Sequence, residues 1–191
     1  MTQPTPPRLT ILVTSTREQR GGGAVGAWVH ERVTADGRFA PRLVDLRELA
    51  LPLLDEPHHP RERKYTKEHT RTWSAIVAAS DAFVFVVPEY NYGMPPALLN
   101  ALDYVYYEWH YKAVGFVSYG GISAGLRSVQ MAKQVITTLR MMPIPEAVSV
   151  PFYAKRLTDG TFAPGELAEK SATAMLDELL KWTGALAPLR A

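Results

Sequence analysis

Residues 82–87, AFVFVV, constrain the fold more than any other segment, because every position is apolar. A strand with one face in water alternates apolar and polar residues. A run without a polar member reads as a strand covered on both faces, as in a parallel sheet. Pro88 ends it. Other strand-length apolar runs fall at residues 9–13, 39–46, 113–117 and 147–150. In the second of these, Leu43, Val44 and Leu46 are expected to be buried. Helix-length segments separate the runs. Residues 24–33 carry Val25, Trp28, Val29 and Arg32 at helical spacing, and residues 65–79 carry Trp73, Ile76 and Val77 on one side. Pro95 and Pro96 sit where a first helical turn tolerates proline, and residues 97–109 continue at helical period. Residues 122–139 and 166–182 complete the set. Pro143 and Pro145 break the helix at residues 122–139, and residues 147–150 make the fifth strand. Residues 47–63 show no clear period.

Strands alternating with helices imply an α/β fold: a three-layer sandwich with right-handed crossovers around a five-stranded parallel sheet. The expected strand order is the flavodoxin-like 2-1-3-4-5. A chain of 191 residues suits one domain, read as residues 1–191 with residues 1–7 a flexible arm. The formal charge of +2 carries no nucleic-acid footprint. No apolar run approaches the roughly 20 residues that span a bilayer, and the first ten residues lack the core of a signal peptide. The chain has no cysteine, which excludes thiolate nucleophiles, Cys-ligated zinc and iron–sulfur clusters, and fits a reducing cytoplasm.

In such a sheet, ligands bind beyond the carboxyl ends of the strands, where the strand order reverses. That places the loops after Val13, Val87 and Val117 together. The first loop holds Ser15, Thr16, Arg17, Arg20 and Gly21 to Gly23 before a helix. Free backbone N–H groups, hydroxyls and guanidinium groups suit a phosphate; a polar turn with solvated arginines fits the same residues. The loop has neither GxGxxG nor the GK[ST] of a phosphate loop, which disfavours a dinucleotide or nucleoside-triphosphate fold. The second loop, Pro88, Glu89, Tyr90, Asn91, Tyr92, Gly93, suits a flat heterocycle, with proline for rigidity and glycine for φ > 0. Taken alone, its plainer reading is a turn whose tyrosines cap the core and whose Glu89 is a solvated or capping carboxylate. The third, Ser118, Tyr119, Gly120, Gly121, allows close backbone approach, and its plainer reading is a helix start capped by Ser123.

The segments ILVTSTREQRGGGAV, VVPEYNYGMPPALLNALDY and GFVSYGGISAGLRSV resemble the NADPH-dependent FMN reductase family, which has a flavodoxin-like fold and includes quinone, azo-dye and chromate reductases. By this resemblance Ser15, Thr16, Arg17, Arg20 and Gly21 hold the FMN phosphate. Pro88, Glu89, Tyr90, Asn91, Tyr92 and Gly93 line the ribityl chain and ring. Ser118, Tyr119, Gly120 and Gly121 complete the flavin edge. Two positions depart from the family pattern: Thr14 replaces a glycine and would be strained at positive φ, and Leu99 replaces a frequent lysine.

The resemblance implies an enzyme that takes hydride from NADPH or NADH onto FMN and passes it to a small electron acceptor, with no side chain required as acid, base or nucleophile. It also implies a homodimer or dimer of dimers. Part of the aromatic set Tyr104, Tyr106, Tyr107, Trp109 and Tyr111 is expected to pack across subunits. The alternatives are a non-catalytic FMN electron carrier, which a charge of +2 disfavours, and a reductase serving a biosynthetic enzyme or monooxygenase. Adjacent His58 and His59 point apart in an extended loop and make a poor metal site. Arg61, Arg63, Lys64 and Lys67 form a basic stretch that is either solvated or attracts the 2′-phosphate of NADPH.

Overall fold

The computed structural model of the protein describes residues 5–190. Its centre is a five-stranded parallel sheet built from β1 (Arg8–Val13), β2 (Ala40–Asp45), β3 (Ala82–Pro88), β4 (Ala113–Tyr119) and β5 (Met142–Val150). The order is β2-β1-β3-β4-β5, as expected. The helices are α1 (Gly22–Asp36), α2 (Leu46–Leu49), α3 (Glu68–Ala78), α4 (Pro96–Asp103), α5 (Leu126–Thr138) and α6 (Glu166–Leu186). Every β3 residue is buried. Its alternation sends Ala82, Val84 and Val86 into the layer with α1 and α6. Phe83, Phe85 and Val87 face the layer built from α3, α4 and α5. Both faces are covered, so neither admits a polar side chain. Among the described residues, no helix is long and apolar enough to cross a membrane.

Several boundaries differ from the sequence reading for identifiable reasons. α4 ends at Asp103 rather than Trp109. The indole N–H of Trp73 donates to the Ala101 carbonyl at 2.8 Å, and that of Trp109 to the Leu102 carbonyl at 3.2 Å. Carbonyls at a helix C-terminus have no partner within the helix, so these indoles satisfy the end of α4 from outside. Trp109 also meets Phe83 at 5.1 Å and Trp73 at 5.7 Å between ring centroids. Tyr104 and Trp109 are therefore core residues of their own chain and unavailable to a partner. β5 starts at Met142 despite Pro143 and Pro145. It is an edge strand whose pairing slips between Val114 and Phe116, opposite Pro143 and Ala147, and proline is tolerated at an edge or a bulge. Leu43 is exposed because β2 is the opposite edge.

Residues 47–63 are ordered by side-chain bonds rather than by a hydrophobic period. Asp45 caps α2 by accepting the Arg47 N–H. The Asn100 amide then holds the strap down, donating to the Pro52 carbonyl at 2.7 Å and accepting the Leu54 N–H at 2.9 Å. His59 Nδ1 accepts the Arg61 N–H and so caps a short turn at Pro60–Glu62. After β5, an unforeseen hairpin pairs β6 (Leu157–Thr158) with β7 (Thr161–Phe162). Asp159 and Gly160, both at positive φ, make its turn. Of the expected N-terminal arm, residues 1–4 lie outside the described residues. The Pro7 carbonyl accepts the Ala40 N–H at 2.9 Å, which ties the arm's end to the sheet.

Candidate active site at the carboxyl ends of the strands

The three loops meet as the topology requires. Their cavity, about 140 Å³, is lined by Ser15, Arg17, Arg20 and Gly21 of the first loop, Pro88, Glu89 and Tyr90 of the second, and Tyr119, Gly120 and Gly121 of the third. Thr16 lines instead an adjoining, larger cleft of about 480 Å³ with Leu51, Leu53, Pro96 and Ala97. Asn91, Tyr92, Gly93 and Ser118 support the walls without lining the cavity.

Thr14 is unstrained, because it does not take positive φ. It extends β1 instead: its N–H and its hydroxyl both donate to the Val86 carbonyl, at 3.2 and 2.9 Å. Ser15 follows, and its hydroxyl shares a 2.6 Å hydrogen bond with the Tyr90 hydroxyl, joining the first loop to the second. Arg20 is ion-paired with Asp45, a partner that sequence reasoning did not supply. Its Nη1 has no hydrogen-bond partner among the described residues. Arg17 has no ion pair among the described residues, and its guanidinium carbon lies 6.0 Å from the Tyr90 ring centroid.

The second loop is a two-residue turn. The N–H of Tyr90 donates to the Gly93 carbonyl at 3.0 Å, and the Gly93 N–H returns to the Tyr90 carbonyl at 2.9 Å. Asn91 and Tyr92 take the positive φ values, 49° and 69°, rather than Gly93. Tyr92 carries backbone strain there, on the order of 1–3 kcal/mol. A Cβ at Gly93 would come within 3.2 Å of the Met131 sulfur, so that side chain would have to shift slightly to admit it. Glu89 is not solvated: its side chain is 6% exposed and ion-paired with Arg127. Burial pushes its carboxyl up, and the bonds from Arg127 more than reverse this, leaving it below the usual range. Arg127 also lies over the Tyr92 ring at 3.9 Å, so one cation fixes the acid and the exposed end of the loop.

In the third loop the helix cap is Gly125, at φ 82°, and not Ser123. A Cβ on Gly125 would sit 2.9 Å from the Tyr119 nitrogen. Ser118 Oγ and the Tyr119 hydroxyl are buried with no hydrogen-bond partner among the described residues. Burial pushes the Tyr119 hydroxyl far above its ordinary pKa, so it stays protonated as a donor. Tyr153, which the sequence reading missed, completes the cavity. Its ring meets Tyr119 at 4.8 Å, and its N–H donates to the Gly120 carbonyl at 3.2 Å. The only advance signal was its place just after the last sheet strand. The basic stretch does not reach this end: Arg61 and Arg63 lie over Tyr106 and Tyr107, near the amino end of β4.

Comparison with known proteins agrees with this geometry. The profile of the NADPH-dependent FMN reductase family matches residues 7–155. An NAD(P)H-dependent FMN reductase of Nectria sp. is 32% identical over 175 residues, covering 87% of this chain and 86% of the relative. One of Schizosaccharomyces pombe is 35% identical over 160 residues, covering 83% and 80%. The FerB flavoenzyme NAD(P)H:(acceptor) oxidoreductase from Paracoccus denitrificans has the same fold, with a TM-score of 0.73 at 18% identity over 94% of this chain and 98% of that one. On the matched span, the sheet order and these two relatives, the chain belongs to the NADPH-dependent FMN reductase family and is an oxidoreductase that uses FMN and NAD(P)H.

Proposed function

We propose that the three-loop cavity holds FMN and that the chain passes hydride from NADPH, by way of FMN, to a small electron acceptor: free flavin, a quinone, an azo compound or a metal oxyanion. The observation that carries this reading is a pair of buried polar atoms without partners, among the described residues, on residues that line one cavity, namely Arg20 Nη1 and the Tyr119 hydroxyl. Buried polar groups in folded proteins are nearly always paired, so unpaired ones around a cavity call for a polar ligand. The donor set fits FMN. Arg17 is the cation free to meet the phosphate, because Arg20 already shares its charge with Asp45. Ser15, Thr16 and the Gly21 turn supply hydroxyl and backbone donors ahead of α1, whose N-terminus favours an anion. The Ser15–Tyr90 bond spans the same place, and a ligand oxygen replaces it without leaving either hydroxyl unpaired. Pro88, Glu89 and Tyr90 line the ribityl chain and ring, with the Asn91–Gly93 turn behind them, and Tyr119 to Gly121 close the opposite edge, backed by Ser118.

FMN, when bound, supplies the hydride chemistry. The protein's part is to orient and to shield. Tyr119 donates from a hydroxyl held neutral by burial. The Glu89–Arg127 pair holds the second loop rigid, so its backbone donors are fixed before the ligand arrives. The adjoining cleft gives the nicotinamide donor and the acceptor an approach lined by Leu51, Leu53 and Ala97. A homodimer or dimer of dimers, working in the cytoplasm, completes the proposal. Leu53 and Ile122 are 81% and 82% exposed, and their burial against a second copy is what this reading expects. A strict monomer in sedimentation at micromolar concentration would overturn that part.

The test of the function is the visible spectrum of the purified protein, before and after anaerobic NADPH or NADH. Oxidised-flavin bands that bleach on NADPH and return on adding a quinone are expected. Bound flavin that no nicotinamide donor bleaches would leave an electron carrier instead.

A further inference from the structure

At the opposite edge of the sheet, where strands begin, lies a second cavity of about 460 Å³. Its charged walls are Arg8, Arg63, Lys112 and Arg190 against Asp81 and Glu108. Four cations thus face two carboxylates, and both carboxylates are committed. Asp81 accepts the Arg8 N–H at 2.8 Å and its Nε at 3.3 Å, with Arg190 3.9 Å away. Glu108 accepts the Tyr65 hydroxyl, the Ser74 hydroxyl and the Tyr106 N–H. Arg63 has no carboxylate partner among the described residues; it lies over the Tyr107 ring at 4.5 Å. Lys112 is only 5% exposed. It donates to the carbonyls of Val77 and Ala78 at the end of α3, at 2.6 and 3.3 Å, and an ammonium has a third N–H to give. His110 also lines the wall, and its Nε2 is buried without a partner among the described residues.

We propose that this cavity binds a phosphate monoester, whose dianion matches the excess of two positive charges. Arg63 and Arg190 meet the phosphate oxygens from the rim and Lys112 from the floor, while the half-exposed Tyr107 ring offers a surface for the organic part. The chemistry is that of charge-assisted hydrogen bonds in a concave, cation-lined site. Burial pushes Lys112 down to about 8, so its cationic form is held at a cost that a bound anion relieves. The site is separate from the FMN cavity, which lies at the carboxyl ends of the same strands.

The test is calorimetric titration of the protein, saturated with FMN, with inorganic phosphate and separately with adenosine 5′-monophosphate. Ionic strength is fixed with chloride, and a chloride titration is the control. One equivalent of phosphate or of the nucleotide binds. Arg63→Gln and Arg190→Gln each weaken binding by about tenfold. Arg42→Gln, an exposed position on β2 outside both cavities, leaves it unchanged. Binding no stronger than the chloride control, affinity in both rim variants equal to the parent's, or loss on Arg42→Gln would overturn the proposal. Flavin content, read from the spectrum of each sample, keeps this outcome apart from that of the FMN site.

Discussion

Replacing Tyr119 by phenylalanine separates a ligand-binding hydroxyl from ordinary core packing. The side chain is 2% exposed, and its ring packs on Tyr153. Its hydroxyl has no partner among the described residues. A buried hydroxyl left unpaired costs about 1–3 kcal/mol, whereas the ring contacts survive the substitution. The flavin-free variant is therefore expected to be more stable than the parent. For a chain of this length 1 kcal/mol moves Tm by roughly 2–4 °C, so a rise of about 2–12 °C follows. The sign reverses when FMN is bound, because the same hydroxyl then has an acceptor. Losing that bond costs about 1.5 kcal/mol, which weakens FMN roughly tenfold. Thermal melts of flavin-free protein and a flavin titration read the two effects separately. A variant that melts lower without flavin, or that binds FMN as well as the parent, refutes the reasoning.

Arg17→Ala should weaken FMN retention by about tenfold, measured by flavin content after gel filtration, with an unchanged circular dichroism spectrum. Gly22→Ala should lower Tm, since a Cβ there overlaps the Tyr119 hydroxyl oxygen. Overpacking of this kind costs roughly 1–3 kcal/mol, and the Tyr119→Phe background should recover much of it, a coupling that paired melts detect. Lys112 predicts a pH dependence. Its folded pKa, about 8, lies below its ordinary value of about 10.4, so between those values the unfolded chain binds more protons than the native one. Its contribution to stability therefore rises with pH from about 8 to 10. Urea denaturation of the parent and of Lys112→Met should show that slope only in the parent.

The sheet was legible in the sequence because burial on two faces writes itself into composition: β3 has no polar residue, and its neighbours are nearly as apolar. The topology then fixed which loops meet, so most of the cavity could be named in advance. Ser15, Arg17, Pro88, Tyr90 and Tyr119 stand where the alternating pattern put them. What escaped depends on pairings between segments distant in the chain. The end of α4 is set by Trp73 and Trp109, one before the helix and one after it. Nothing local to Arg20 points to Asp45, or to Glu89 points to Arg127, yet these pairs decide which cation is free and which acid is locked. β5 begins at Met142 rather than Ala147 because proline breaks a central strand but not an edge strand with a bulge. The β6–β7 hairpin does have a local signal, Asp159-Gly160 between two short strand-forming stretches.

A crystal structure of the protein with FMN shows where the ligand sits. The phosphate is expected among Ser15, Arg17 and Gly21, with the ring between the Pro88–Gly93 turn and Ser118–Gly121, and the Tyr119 hydroxyl bonded to the ligand. Flavin bound elsewhere, or bound there with the Tyr119 hydroxyl and Arg20 Nη1 still without partners, would contradict it.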